Sequence, residues 1–168
     1  VITSGFPPPV GETILDKRRF VREKYDHLRT ALMLEPRGHA DMYGCLVTPP
    51  VTDEADFGVL FMHNEGFSTM CGHGIIAMTT VALECGMVAM RAPQTTLRID
   101  TPAGLVTACA LIEEDRVRSV SFRNVPSFVI DLDQLVDVPG IGQIRYDLAF
   151  GGGFYAYVNA VDVNLKVS

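Results

Sequence analysis

The sequence predicts an α/β protein of the α+β type, in which a curved, mainly antiparallel sheet wraps a central buried helix. Three observations predict it. Residues 71–85, CGHGIIAMTTVALEC, are apolar on nearly every side, so a helix formed there has to be enclosed. A series of short segments rich in β-branched and aromatic residues is broken by Gly, Pro or acidic turns. One other stretch, following Thr13, spaces apolar residues among charges with the helical period.

Taken in order, Pro7-Pro8-Pro9 prevents any regular element, and Thr13 with Asp16 three residues later forms the pattern of a capping box. Val21, Tyr25, Leu28 and Leu32 then fall on one face of an amphipathic surface helix, which ends before Pro36 because the residue preceding a proline is pushed out of the helical region. Residues 43–47 and 56–61 read as strands of a hairpin around the Pro49-Pro50 turn. The all-apolar helix of residues 71–85 would be about 22 Å long at the α-helical rise, and Gly86 follows where a left-handed C-cap belongs. Short strands are expected over 97–100, 105–111, 117–122, 128–130, 144–149 and 154–158. No repeat, low-complexity tract or linker divides the chain.

Composition narrows the function. Of 168 residues 48% are hydrophobic and 20% charged, with no apolar run of the roughly 18 residues a membrane-spanning helix needs. The formal net charge of -6 and the lack of a Lys/Arg cluster interleaved with aromatics argue against nucleic acid and membrane as partners. Cys45, Cys71, Cys85 and Cys109 show no CxxC spacing, which removes the common zinc and thioredoxin-type patterns and points to reduced thiols in a cytoplasmic setting. No pattern for pyridoxal phosphate or a metal site is present, so neither cofactor nor metal is expected. The chain opens on Val1 without a leader pattern and stops soon after a strand, and is read as a piece of something larger.

The stretch that carries chemistry runs from Phe61 through Cys71-Gly72-His73-Gly74, where a strand and a short loop deliver Cys71 to a helix start. Unpaired amides and the positive end of the helix dipole lie there. A thiolate at Cys71 would be stabilised and its pKa lowered, and a carboxylate would be held by the amides around Gly72 and His73. Gly72 and Gly74 leave room for a ligand against the backbone, and His73 offers a polarising group two residues from the sulfur. Each also has a plain structural role: a Cys heading a buried helix serves as a small core residue, and His73 as a partner for a neighbouring carbonyl. Glu35-Pro36-Arg37-Gly38-His39 with Asp41 is read as a salt-bridged turn that positions the sheet. Gly151-Gly152-Gly153 is followed by a strand rather than by Lys-Ser/Thr and a helix, which makes it a backbone turn lining the cleft rather than a phosphate loop. His63 ends a strand as a packed side chain, and His27 lies solvated on the polar helix.

Three blocks, LMLEPRGHADMYG (32–44), FMHNEGFSTMCGHGIIA (61–77) and YDLAFGGGFYAYV (146–158), resemble the proline racemase superfamily in the same order and at the expected separations. Within it, His63-Asn64-Glu65-Gly66 and Gly74-Ile75-Ile76-Ala77 resemble the branch that dehydrates trans-3-hydroxy-L-proline, whereas the racemases more often carry an Asp-Thr-Gly-Gly lead-in. The resemblance implies a diaminopimelate epimerase-like fold of two similar domains, each a curved sheet around a central helix, with the active site between them. Residues 1–168 would then be one domain, the first half of a two-domain enzyme, with the start of the crossover to the second. Cys71 matches the family's first catalytic residue, and Gly72, His73 and Gly74 its substrate-binding helix start. The second catalytic position belongs to an Asp-x-x-Pro-x-Gly-type motif that these residues do not contain.

The implied reaction is cofactor-independent removal of the α-proton of a proline-type amino acid by the Cys71 thiolate, with loss of the 3-hydroxyl as water to give pyrroline-2-carboxylate. The alternative of the same class is a proline racemase or hydroxyproline 2-epimerase, an isomerase in which a second Cys returns the proton. The alternative of another class is a non-catalytic domain that binds proline-like ligands. The implied partners are a small-molecule substrate and the second domain of the same protein, and a homodimer is compatible with this reading.

Overall fold

Thr13 starts the first helix in the computed structural model, which describes residues 1–166. Its hydroxyl accepts from the Asp16 amide at 3.0 Å and the Asp16 carboxylate reaches back to the Thr13 amide at 3.3 Å, the reciprocal capping box that the sequence predicts. Helix α1 (Ile14–Met33) ends as predicted before Pro36, with the Leu34 amide donating to the Thr30 carbonyl at 3.0 Å. Its buried face differs in part from the predicted stripe. A kink at Tyr25 (φ -132°, ψ 20°) moves the stripe round the helix, so that Arg29 and Met33 are buried beyond it while Leu28 and Leu32 are only half-buried. Two cations lie on that face because each finds carbonyls. Lys17 donates to the Pro49 carbonyl at 2.6 Å, and Arg29 donates to the carbonyls of His63 at 2.8 Å and Asn64 at 2.6 Å. Burial also pushes the Lys17 pKa down, opposed by the nearby Asp100 carboxylate.

Strands β1 (Tyr43–Thr48) and β2 (Phe57–His63) form the predicted antiparallel hairpin, with Cys45 opposite Phe61 and Tyr43 opposite His63. A three-residue strand that the sequence did not signal, β3 (Gly66–Ser68), folds back on the end of β2. Strands β4 (Gln94–Thr101), β5 (Gly104–Glu113) and β6 (Arg116–Arg123) continue the sheet in the order β1-β2-β4-β5-β6. Among the described residues, the named strands of this sheet pair antiparallel except for the short parallel contact of β2 with β4, and Ile2 adds an isolated parallel bridge to Leu46.

β2 is buried along almost its whole length because it is covered on both faces. Leu60 and Met62 join Ile14, Val21 and Met33 of α1 in one core. The alternate residue Phe61, with Cys45 of β1, faces Gly74 of the second helix on the other side. That helix, α2 (Gly72–Glu84), runs between Cys71 as N-cap and Cys85 as C-cap, and Gly86 follows at φ +70° as predicted. Its enclosure is less complete than its composition implies. Gly74, Ile75, Met78, Thr79, Ala82 and Leu83 are buried on the sheet, whereas His73, Ile76 (41% exposed), Ala77 and Glu84 form an outward stripe. The sheet of this unit covers one side of the helix, and Ile76 and Ala77 lie on the exposed side.

The chain divides into two compact units, Val1–Asn124 and the described residues from Val125 onward. The second is an antiparallel meander of β7 (Phe128–Val138), β8 (Gly142–Phe150) and β9 (Phe154–Val158). β7 is far longer than the predicted 128–130, because irregularities at Val129/Asp131 and Asp131/Gln134 carry it past acidic residues that read as a turn. Gly151-Gly152-Gly153 makes the turn into β9, with the Gly151 amide donating to the Gly153 carbonyl at 3.1 Å. No helix among the described residues is long and apolar enough to cross a membrane.

Candidate active site

The site begins where β2 runs out. β3 reverses the chain, and Thr69-Met70 lead into Cys71, whose backbone (φ -147°, ψ 109°) is extended as an N-cap requires. The Cys71 sulfur takes the place that a Ser or Asp oxygen commonly fills, accepting from the Gly74 amide at 3.4 Å. The His73 ring lies against the same sulfur, with Nδ1 at 3.5 Å and Nε2 at 3.6 Å. The structure thus brings together the predicted Cys71, Gly72, His73 and Gly74 at one helix start.

Two expectations change on the structure. The thiol pKa is not lowered: burial, with Cys71 only 7% exposed, pushes it up, and the amides of Gly74 and His73 oppose that shift without reversing it. Burial is set by residues distant in sequence, which the local pattern did not reveal. Gly74 is also glycine for a nearer reason than ligand access, since a Cβ there would sit 3.0 Å from the Phe61 ring and 3.2 Å from the Cys45 sulfur. Gly72 is the half-exposed one, facing the edge of Phe122.

The other thiols are set apart by their surroundings. Cys45 is buried beneath the helix start, its sulfur 3.8 Å from the Gly74 carbonyl, and burial, with a smaller contribution from Cys71, pushes its pKa up to about 12. Cys85 is exposed at the far end of α2, and Cys109 lies half-buried on β5. All four are free.

One wall was missed by sequence reasoning. The Tyr43 ring stands between two imidazoles, edge-on to His73 at 4.9 Å and 77°, and tilted on His63 at 5.5 Å and 36°. Alternation along β1 and β2 places Tyr43 opposite His63, a signal available only once the register is known. The loop before Tyr43 lines a cavity of about 540 Å³ that also includes Glu35, His39, Asp41, His63 and Asn64. Among the described residues no ion pair joins Glu35, Arg37, His39 or Asp41, so the predicted salt-bridged turn is not what fixes this loop. Asn64 fixes it. Its side chain accepts from the Met42 amide at 3.0 Å and donates to the carbonyls of Met33 at 2.8 Å and His39 at 2.9 Å. Among the described residues no three His, Cys, Asp or Glu side chains converge as metal ligands would.

A thiol beside an imidazole at a Gly-flanked helix start is shared by several enzyme classes, and comparison with known proteins separates them. The family model described as proline racemase matches residues 1–168. The chain belongs to the proline racemase family. It is 50% identical over 167 residues to the trans-3-hydroxy-L-proline dehydratase of Colwellia psychrerythraea, covering 99% of this chain and 47% of that protein. It is 47% identical over 167 residues to a 3-hydroxyproline 2-epimerase of Burkholderia multivorans, covering 99% of this chain and 50% of that one. Among solved structures, the hydroxyproline epimerase of Agrobacterium vitis, crystallised with trans-4-hydroxy-L-proline, superposes with a TM-score of 0.86 at 35% identity, over 96% of this chain and 48% of the epimerase. The fold is therefore that of the hydroxyproline epimerases, as the sequence predicts. The chain spans about half the length of the curated relatives it matches.

Proposed function

We propose that these residues form the proton-abstracting half of a cofactor-independent trans-3-hydroxy-L-proline dehydratase, a hydro-lyase in which Cys71 is the base. The observation that carries this reading is the position of the Cys71 sulfur at the N-cap of α2, beside the His73 ring and the first amides of the helix. The α-hydrogen next to a carboxylate is very weakly acidic, and its removal is helped by dispersing the charge that builds up. The substrate carboxylate binds at the α2 start through the Gly72 and His73 amides and is stabilised by the dipole. Cys71, as thiolate, takes the α-proton. The C–H electron pair becomes the new C2–C3 double bond as the C3–O bond breaks, and the hydroxyl leaves as water with a proton from solvent. Pyrroline-2-carboxylate remains, and Cys71 then gives its proton back to solvent.

Dehydration needs only one base. The second catalytic position, supplied by the other half of the protein, is accordingly a hydroxyl residue such as Thr. That half is the first partner of these residues, and the exposed Ile76–Ala77 stripe of α2 favours a covering element there. The four free thiols suit a cytoplasmic enzyme.

An epimerase reading is favoured by the 47%-identical epimerase of Burkholderia multivorans and requires a Cys at the second position. The full-length protein separates the two when offered trans-3-hydroxy-L-proline, trans-4-hydroxy-L-proline and L-proline in deuterated water. The expected result is loss of water from the first alone, giving a pyrroline carboxylate that a reductant traps. Inversion and α-deuteration of the 3-hydroxy compound, or racemisation of L-proline with the 3-hydroxy compound intact, would overturn the dehydratase reading and leave Cys71 as base.

A further inference from the structure

We infer that Tyr43 is a positioning residue of this site, its ring holding the imidazole of His73 where that imidazole meets the Cys71 sulfur. The inference rests on the reading of Cys71 as the base. His73 lies on the outward stripe of α2, where nothing in that helix's burial fixes its ring. What flanks it is Tyr43, edge-on at 4.9 Å, while the sulfur lies 3.5 Å from Nδ1. An edge-on approach directs the positive rim of one ring at the π face of the other and so favours a single orientation.

Tyr43 is itself held from two sides. It opposes His63 in the hairpin register, and its ring rests on the His63 ring at 5.5 Å. The turn after His63 is fixed by Arg29 through the carbonyls of His63 and Asn64, and the Asn64 side chain fixes the amide of Met42, next to Tyr43. A path of direct contacts therefore runs from buried Arg29 through the 63–64 turn and Tyr43 to His73 and Cys71. Tyr43 is 46% exposed, so its ring contributes little to the core. The titratable side chains that face the Cys71 sulfur are His73 on α2 and, from β1, Cys45.

The test uses the full-length protein with Y43F, Y43A, H73A and the double variant Y43A/H73A. Turnover of trans-3-hydroxy-L-proline is measured with kcat and KM separated, and alkylation of Cys71 by iodoacetamide is followed against pH by peptide mass spectrometry. Y43F keeps the ring and is expected to match wild type. Y43A is expected to lower kcat about 2- to 12-fold, the factor an aromatic pair of this kind is worth, and to move the alkylation midpoint to higher pH as the imidazole leaves the sulfur. Adding Y43A to H73A is expected to change that midpoint no further, because Tyr43 acts through His73. Equal losses in Y43F and Y43A, an unchanged midpoint in Y43A with a wild-type thermal transition, or additive shifts in the double variant would each overturn the inference. The alkylation profile reads the Tyr43–His73–Cys71 coupling whether or not Cys71 proves to be the base, so failure of the functional reading would show as turnover by C71S instead.

Discussion

At the scale of single residues, burial and the amides at the start of α2 set the cysteines apart. Cys45 lies beneath the start of α2 with its pKa pushed up to about 12, chiefly by burial. A raised thiol pKa means the folded state holds its proton more tightly than the unfolded chain. The stability this gives is fully present below the ordinary thiol range and is lost as the pH rises from about 9 towards 12. At pH 10 the part of the loss due to Cys45 should be roughly 1 kcal/mol relative to pH 7. Urea unfolding of the full-length protein at the two pH values measures it. The Cys45→Ala variant should lack that part of the slope; an identical slope would show that Cys45 is ionised as easily when folded as when unfolded.

Cys71 shares the burial but has two amides turned towards it at the start of α2, which Cys45 lacks. Its place at a Gly-flanked helix start, on which the proposed role rests, was legible from the spacing. The direction of its pKa was not, because the side chains that desolvate it come from elsewhere in the chain. Since that pKa is raised and the proposed base is the thiolate, kcat/KM should climb as the pH rises through and above neutrality, with the alkaline limb lost in Cys71→Ser. Gly74 is the complementary case. Gly74→Ala should cost about 1–3 kcal/mol by overpacking against Phe61, measurable as a lower urea midpoint with unchanged slope.

At the scale of elements, α1 contributes to the site through its charges rather than its apolar stripe. Arg29 is paired with Asp26 at 2.6 Å, holds two carbonyls of the turn after β2, and lies over the Phe67 ring at 5.9 Å. Arg18 reaches the Phe67 carbonyl of β3 in the same way. Arg29→Met keeps the bulk but strands those carbonyls, and should destabilise the protein by roughly 3 kcal/mol, as loss of two charge-assisted hydrogen bonds predicts. The turn at residues 63–65 should then become a site of early proteolysis. A Met variant as stable and as resistant as wild type would show that the turn holds itself.

The helices and most strands were legible because their signals are local: a capping box, a Gly C-cap, Pro and Gly breaks. β3 was not, being three residues long, nor was the far half of β7, where Asp131, Asp133 and Asp137 resemble turn chemistry but lie in a strand. The role of the loop before Tyr43 was hidden for another reason. Its charges suggested ion pairs, yet a single uncharged side chain, Asn64, from a different element stitches it.

At the scale of the whole molecule, apolar surface is left over in each unit. β7 and β9 expose Phe128, Val129, Leu132 and Phe154, the last 70% accessible, and α2 exposes Ile76. Natural soluble chains rarely leave such patches uncovered, which accords with a chain spanning about half the length of its relatives. Residues 1–168 expressed alone should therefore show no dehydration or racemisation, and should self-associate on size-exclusion chromatography. Turnover by that segment alone would contradict the need for a second half to close over the substrate.

The central claim is that the Cys71 sulfur removes the α-proton. It is tested most directly by Cys71→Ser in the full-length protein, assayed for water loss from trans-3-hydroxy-L-proline alongside its thermal transition. A hydroxyl is a far weaker base near neutral pH, so turnover should fall by several orders of magnitude while the transition stays at its wild-type temperature. Turnover within a few-fold of wild type would contradict the account.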